Sequence, residues 1–174
     1  MPDTQIKKEG VAIVPGSFDP ITLGHVDIAR RAAERFEHVY LAVMINPDKR
    51  YMFTLDERVE IAKAALVGID SIEVISSEGM LWKLALDLGA CAIVKGVRNE
   101  VDREYELKMA EFNSAHNPEA ETILLDTAPA LAHISSTLVR KAIENDQPLT
   151  DYLPQKAIEA IRKIREIREI RENR

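Results

Sequence analysis

The chain has 174 residues, of which 46% are hydrophobic and 30% charged, and its net charge is −6 at pH 7. This balance is typical of a globular protein and argues against disorder and against binding to nucleic acid, which needs a basic excess. No apolar run approaches the ~20 residues that span a bilayer, and the polar start MPDTQIKKEG lacks the core of a signal peptide. The single Cys91 excludes an intramolecular disulfide and a cysteine-based metal site. We therefore expect a cytoplasmic protein with no membrane partner.

Five strand–helix alternations precede a helical tail. Short apolar runs predict strands over 11–14, 39–45, 71–75, 91–95 and 122–125. Helical spacing, a capping box at Thr54-Leu55-Asp56-Glu57, a cap at Ser135 and a stop at Gly89 predict helices over 24–36, 54–66, 81–88, 102–117 and 135–143. Cys91 heads the fourth strand, where a core position is expected. The chain is predicted to form one domain, 1–174, with a polar extension at 1–9 and a helical tail at 154–174.

This alternation indicates the α/β class, a Rossmann-like doubly wound domain with a five-stranded parallel sheet and helices on both faces. Ligands of such folds bind beyond the carboxyl ends of the strands, near the switch in strand order. The polar turns that follow the five strands therefore meet at one edge. They contain Ser17 and His25, Lys49, Gly79-Met80-Leu81, Lys95-Gly96-Val97-Arg98, and His133 to Thr137.

The segment PGSFDPITLGH closes the first predicted strand and opens the next helix. Gly16 allows the backbone to approach a ligand, and Ser17 offers a hydroxyl and an N–H beyond the strand end. The following helix directs free N–H groups and its positive dipole end at the same space. His25 can donate a hydrogen bond to a phosphate oxygen, more strongly if protonated. The segment predicts a phosphate site, although a turn capped by Thr22 would explain each residue singly.

The string GSFDPITLGH resembles the (S/T)-x-x-x-x-(H/T)-x-G-H signature of nucleotidyltransferases related to class I aminoacyl-tRNA synthetases, with Thr22 at the (H/T) position. Within that superfamily it is most similar to the bacterial phosphopantetheine adenylyltransferases, whose pattern is P-G-(S/T)-F-D-P-x-T-x-G-H. The resemblance continues through KRYMFTLDERVEIA, VKGVRNEVDREYELKMAEFN and ISSTLVRKA, and covers roughly residues 10–155 in register.

The resemblance implies transfer of the adenylyl group of ATP to 4'-phosphopantetheine, which gives dephospho-coenzyme A and pyrophosphate in coenzyme A biosynthesis. The attacking phosphate oxygen is already anionic, so the chemistry needs in-line positioning and positive charge rather than a general base. The resemblance also implies Mg²⁺, held mainly by the ATP phosphates and water, with no protein metal site. A homohexamer is implied in the same way.

Matching positions imply the roles of the site residues. Ser17 is expected to contact the acceptor phosphate, His25 to stabilise the transition state at the α-phosphate, and Lys49 to bridge the two phosphates. The expected acceptor contacts are Ser17, Lys49, Leu81 and Lys95. The expected ATP contacts are Ser17, Phe18, His25, Gly96, Val97, Arg98, Glu106, Leu131, Ala132, His133, Ile134, Ser135, Ser136 and Thr137.

Some of these residues have ordinary structural explanations when each is taken alone. Lys49 would be a solvated loop lysine, Glu106 part of a solvated helix face, and Leu81 a core residue. Ser135 would simply cap the next helix.

Three positions depart from the family pattern. Lys95 replaces an arginine and loses its planar fork, Arg103 replaces a phenylalanine, and His133 lies where the family has an aromatic-Ser-Phe segment. A different stacking of adenine, against His133, is the expected consequence of the last change.

Isoleucines recur every three residues in the tail, at 158, 161, 164, 167 and 170. Each step falls about 60° short of a full turn, so the stripe winds around the helix. We predict a docked start, a frayed or partner-contacting end, and supporting pairs Arg162–Glu166 and Arg165–Glu169.

Two other functions stay open. A sister transferase that uses CTP or another phosphorylated acceptor would share the Gly-His turn, but the matches after strand four and at Ser-Ser-Thr argue against it. A non-catalytic nucleotide-binding module would share the fold, but the presence of His25, Lys49 and Arg98 argues against the loss of catalysis.

Overall fold

A single five-stranded parallel sheet lies at the centre of the computed structural model, which describes residues 8–174. The strands are β1 Lys8–Gly16, β2 Phe36–Met44, β3 Ile72–Ser77, β4 Ala92–Val97 and β5 Glu121–Asp126. Their order is β3-β2-β1-β4-β5. The predicted α/β fold with a doubly wound parallel sheet is confirmed. Residues 1–7 of the predicted extension lie outside the described residues, and the one-domain assignment stays a prediction.

Six α-helices connect and cover the strands in the described part of the chain. They are α1 Leu23–Arg35, α2 Leu55–Ala65, α3 Leu81–Asp87, α4 Glu100–His116, α5 Ser136–Glu144 and α6 Gln155–Glu172, with a short 3-10 turn at Pro129–Leu131. The predicted box at Thr54 is present, since Thr54 and Glu57 cap α2 reciprocally. Gly89 follows α3 with a φ of 63°, a left-handed conformation that glycine adopts readily.

Residues that alternate along the strands divide the core between the two faces of the sheet. Ala12 and Val14 belong to a buried cluster that includes side chains of α1, α2, α5 and α6. Ile13, which lies between them, joins a smaller cluster with Ala85 of α3. Helices on both faces therefore bury residues 12–15 of β1, which explains why this part of the strand is apolar without alternation.

The fourth strand differs from its prediction at both ends. It continues through Gly96 and Val97, placed in the turn by the sequence, because both residues still pair with β5. It begins at Ala92, and Cys91 precedes it. Cys91 is exposed, with Sγ donating to the carbonyl of Val11 at 3.4 Å, so the expected core position is wrong.

The sheet opens at the point where its strand order reverses. β1 pairs with β4 at Ala12–Ala92 and Ile13–Ile93, whereas its pairing with β2 continues to Gly16–Val43. The carboxyl ends of β1 and β4 therefore separate and leave a cleft between them. This is the position at which ligands enter sheets of this topology.

The tail forms α6, which packs against α2. Ile158, Ile161 and Ile164 are buried, whereas Ile167 and Ile170 are 41% and 58% exposed, so the predicted docked start is confirmed. The helix continues to Glu172, and the frayed or partner-contacting end stays a prediction. Arg165 pairs with Asp146 at 3.0 Å instead of the predicted Glu169, and over residues 8–174 no ion pair joins Arg162 to Glu166. Arg168, for which no pair was predicted, pairs with Glu57.

Over residues 8–174, none of the helices combines the length and the apolar character that a membrane crossing requires.

Candidate active site

A cavity of about 590 Å³ occupies the cleft between β1 and β4. Most of the predicted site residues line this cavity, and they come from four separate segments of the chain. Those that line it are Ser17, Phe18, His25, Lys49, Lys95, Gly96, Arg98, Glu106, Ile134, Ser135, Ser136 and Thr137. The topology thus brings together, at one place, groups spread along the chain from residue 17 to residue 137.

His25 belongs to the N-terminal cap of α1. The backbone N–H of Thr22 donates to His25 Nδ1 at 3.0 Å, and the backbone N–H of His25 donates to Thr22 Oγ1 at 3.5 Å. Because Nδ1 accepts, the proton of the neutral ring lies on Nε2. Burial and the positive charge of Arg98 lower the pKa of His25 to about 4. His25 is therefore a neutral hydrogen-bond donor at pH 7, and the stronger donation of a protonated ring does not apply at that pH.

Phe18 holds the imidazole from the side. Its ring meets that of His25 edge to face, with centroids 5.1 Å apart. A Cβ on Gly16 would lie 2.9 Å from Phe18 Cζ, so the space that glycine leaves is filled by this ring. Phe18 itself has a φ of 48°, unusual for a residue with a side chain. Gly16 therefore allows Phe18 to fold back and orient His25.

Ser17 and Lys49 lie on the β2 side of the cavity together with Tyr51. The Tyr51 hydroxyl lies 3.4 Å from Ser17 Oγ and accepts from the backbone N–H of Asn46 at 2.7 Å. Burial alone would raise the pKa of Tyr51, but hydrogen bonds with Ser17 and Asn46 and the charges of Arg58 and Lys49 lower it below its ordinary value. This side of the cavity is electropositive and rich in hydroxyl groups.

Arg58 supplies a buried charge beneath Ser17. Its side chain is 1% exposed, and Nη1 donates to the carbonyls of Ser17 at 2.7 Å and Met44 at 3.1 Å. Its guanidinium also stacks on Tyr51, 3.9 Å from the ring centroid. Since its hydrogen bonds go to main-chain carbonyls, the positive charge remains available to attract an anion.

On the β4 side, charged residues form pairs along the cavity wall. Lys95 Nζ lies 3.2 Å from Glu106, and Arg98 Nε lies 3.1 Å from Asp102. Arg103, where the family has an aromatic residue, pairs with Asp126, and neither residue lines the cavity. Glu106 and Asp102 thus hold the ammonium of Lys95 and the guanidinium of Arg98 at the cavity wall.

The N-terminus of α5 closes the cavity. Ser135 Oγ accepts from the backbone N–H of Leu138 at 3.1 Å, which confirms its capping role. Ser136 Oγ donates to the carbonyl of Pro20 at 2.9 Å and ties α5 to the turn after β1. Ser136 and Thr137 of this first turn line the cavity, and the N–H groups of a first helical turn have no partner within the helix.

Several predicted contacts lie away from the cavity in the described structure. Val97 is buried in β4. Leu81 packs beside the smaller core cluster. His133 is exposed, and Leu131 and Ala132 are half-buried. None of these five lines the cavity.

Among the residues that line or support the cavity and that sequence reasoning missed are Tyr51, Arg58, Asp102 and Arg140. The signal for Arg58 was present, because Ile61 and Ala62 follow it at i+3 and i+4 and place it on the buried face of α2. Tyr51 and Arg140 lie inside segments that resemble the family.

A Rossmann-like sheet with a Thr-x-Gly-His turn at its switch point defines a nucleotidyltransferase. Residues 13–142 match the family model described as cytidylyltransferase-like. The chain is 42% identical over 149 residues to the phosphopantetheine adenylyltransferase of Caldanaerobacter subterraneus subsp. tengcongensis, which covers 86% of this chain and 93% of that protein. It thus belongs to the phosphopantetheine adenylyltransferase family.

Two further relatives carry the same name. The Lactobacillus helveticus protein is 41% identical over 151 residues, 86% of this chain and 92% of its own length. The Heliobacterium modesticaldum protein is 44% identical over 144 residues, 83% of this chain and 86% of its own length. The matches therefore extend over nearly the whole length of each protein.

Proposed function

We propose that the chain is an enzyme that transfers the adenylyl group of ATP to 4'-phosphopantetheine, giving dephospho-coenzyme A and pyrophosphate. One observation carries the proposal: a neutral His25 donor shares a cavity at the helix-lined switch point with Lys49 and Arg98. The names of the relatives supply the substrates. Donors and cations in this arrangement suit charge stabilisation during transfer between phosphates.

The reaction is a displacement at phosphorus. An oxygen of the acceptor phosphate attacks the α-phosphorus of ATP, the bond from that phosphorus to the α–β bridging oxygen breaks, and pyrophosphate leaves with the electron pair. Because the nucleophile is anionic before it reacts, no side chain has to remove a proton. The chain's part is to orient the two phosphates in line and to balance their charge.

Each catalytic residue receives one task in this proposal. His25 donates from Nε2 to an α-phosphate oxygen, more strongly as that oxygen gains charge. Lys49 places its ammonium between the acceptor and the α-phosphate, and Ser17 binds the acceptor phosphate. The buried Arg58 adds long-range attraction from below Ser17.

The nucleotide is assigned to the β4 and α5 side. Gly96, Arg98 and Glu106 and the Ile134-Ser135-Ser136-Thr137 turn line that wall and support the assignment. Lys95 is assigned to the acceptor. Two sets of contacts remain predictions from the resemblance. They are the contacts of Val97, Leu131, Ala132 and His133 with ATP, and the contact of Leu81 with the acceptor.

Mg²⁺ is proposed to enter with ATP. Within the described range 8–174, no three or more His, Cys, Asp and Glu side chains are grouped to hold a metal ion. As the resemblance implies, we assign the ion to the phosphate oxygens and water, where it would neutralise part of their charge.

A homohexamer and a cytoplasmic setting complete the proposal. Exposed apolar side chains on α4, among them Val101 at 76% and Tyr105 at 61%, support association between copies. Light scattering coupled to gel filtration measures the number of copies.

The decisive experiment incubates the purified chain with ATP, Mg²⁺ and 4'-phosphopantetheine and follows pyrophosphate and dephospho-coenzyme A. We expect the two products in equal amounts. A parallel reaction with CTP tests the sister transferase. Product with CTP but not ATP, or binding of ATP without any product, would contradict the proposal.

A further inference from the structure

Arg168, near the end of α6, reaches the loop that carries Lys49. This loop, residues 45–54, joins β2 to α2 and is called the acceptor loop below. Arg168 Nη2 donates to the carbonyl of Met52 at 3.1 Å. Its Nε donates to Glu57 at 3.2 Å, and Nη2 pairs with the second carboxylate oxygen. One guanidinium therefore joins the last turn of the tail helix to both the loop and the first turn of α2.

The spacing of the isoleucines along α6 explains why residue 168, an arginine, lies on the core-facing side of the helix. Ile161 and Ile164 face the core, and position 168 continues their face at a spacing of four residues. Ile167, the next isoleucine of the repeat, has already turned to 41% exposure. The guanidinium carbon of Arg168 lies 5.4 Å from the ring centroid of Phe53 and places a cation against that ring.

The acceptor loop is held on its opposite side by Asp19. The backbone N–H groups of Met52 and Phe53 donate to Asp19 Oδ2 at 2.9 Å and to Oδ1 at 3.0 Å. Asp19 is 3% exposed and lies in the turn that carries Ser17 and His25. The end of the loop is therefore fixed between two charged groups: Asp19 binds its N–H groups, and Arg168 binds its carbonyl.

Glu57 completes the contact. Burial alone would raise its pKa, but hydrogen bonds from Arg168 and Thr54, together with the charge of Arg168, lower it below its ordinary value. The side chain of Glu57 also accepts from the backbone N–H of Thr54 at 2.9 Å. A charged carboxylate thus links Arg168 to the residue that ends the acceptor loop.

We propose that Arg168 is a positioning residue that fixes the acceptor loop, and through it Lys49 and Tyr51, for the acceptor phosphate. The inference rests on the proposed function. It predicts an asymmetric effect, because the residues assigned to the nucleotide lie on β4, α4 and α5, whereas the contacts of Arg168 lie at the acceptor loop and α2. Loss of Arg168 displaces one wall of the cavity and leaves the other in place.

The test compares Arg168→Ala and Arg168→Lys with Arg165→Ala in the full-length chain. Arg165 lies one turn earlier on the same helix and pairs with the exposed Asp146, so it is a matched control. In Arg168→Ala we expect KM for 4'-phosphopantetheine to rise and kcat to fall, each about tenfold, as for a misplaced catalytic group. KM for ATP should change less than about twofold. Lysine should restore part of the loss, because it keeps the charge without the fork.

Hydrogen exchange supplies a readout that does not depend on activity. The amides of Met52 and Phe53 should exchange at least about tenfold faster in Arg168→Ala and at the wild-type rate in Arg165→Ala. If Arg168→Ala does not fold, Glu57→Gln should show the same pattern in weaker form, since glutamine keeps the cap but loses the charge.

Three results would each overturn the positioning role. They are proportional rises in both KM values, equal effects of Arg168→Ala and Arg165→Ala, and unchanged hydrogen exchange at residues 52 and 53. A wild-type chain that makes no dephospho-coenzyme A would instead contradict the proposed function, and exchange would still decide whether Arg168 holds the loop.

Discussion

The backbone N–H of Thr22 donates to Nδ1 of His25 at 3.0 Å, and this bond selects the tautomer of the imidazole. In most capping boxes the third helical residue is Glu or Gln. Here a histidine fills that position, so the bonds that begin α1 also direct Nε2–H into the cavity. One short segment therefore determines both a local helix start and the protonation of the proposed catalytic group.

Replacing His25 by alanine should lower kcat by roughly 10²–10³, the range for loss of one preorganised donor. His25 is proposed to act mainly in the transition state, so ATP affinity measured by calorimetry should change far less. Loss of its cap to Thr22 should cost about 1 kcal/mol of stability. An unchanged kcat, or equal losses of binding and rate, would show that the turn serves binding alone.

The low pKa of His25 predicts a specific dependence of stability on pH. The folded chain binds a proton at His25 only near pH 4, whereas the ordinary histidine pKa is 6.5. Between these values the unfolded chain binds the extra proton, so the free energy of unfolding falls as the pH falls from 6.5 to 4. Urea denaturation at pH 7 and pH 5 should show a larger loss for wild type than for His25→Gln. Equal losses would mean that His25 titrates normally in the folded protein.

Substitution of Lys95 by arginine should be tolerated, because arginine can keep the pair that Lys95 makes with Glu106 at 3.2 Å. Activity should remain within about tenfold, or ~1.4 kcal/mol of barrier. Lys95→Met is the informative companion, since it leaves Glu106 unpaired beside incoming phosphates and should be much less active. A thousandfold loss in the arginine variant would instead indicate a pocket fitted to lysine.

Asp19→Asn should destabilise the fold by about 2–3 kcal/mol, because an NH2 group would replace one of the two carboxylate oxygens and would face a backbone N–H that then has no acceptor. Met52 and Phe53 both donate to the carboxylate in the native protein. The denaturation midpoint in urea measures the change. Asp48→Asn, an exposed change in the same acceptor loop, should stay within about 0.5 kcal/mol. Similar midpoints for the two variants would rule out this role of Asp19.

Patterns among residues close in sequence were sufficient to predict the strands and helices of this fold. The apolar run around Ile13 predicted a strand buried on both faces, and Thr54 with Glu57 predicted the start of α2. These features depend on residues close in sequence, where periodicity and capping rules apply. The strand–helix alternation then determined the sheet edge at which the site lies.

Contacts between distant segments could not be predicted in this way. Gly96 remains in β4 because of its pairing with Leu125, and glycine by itself favours a turn. Cys91 is apolar enough for a core but lies just before the strand. Arg168 meets Met52 only after α6 has packed on α2. In each case a partner far along the chain decides the outcome.

The separation of β1 and β4 has a consequence for how the site can be mapped. Residues 14–16 and 94–96 face each other across the cavity where the ladder between these strands has ended. The backbone N–H and C=O groups of these residues, apart from the missing N–H of Pro15, are the same for almost every amino acid, so a change of side chain leaves them in place. Alanine scanning in this region reports on side chains such as Lys95 and on the space that Gly16 leaves for Phe18. It does not report the contribution of the backbone groups. Amide-to-ester replacement, which deletes one N–H at a time, is the substitution that would register it.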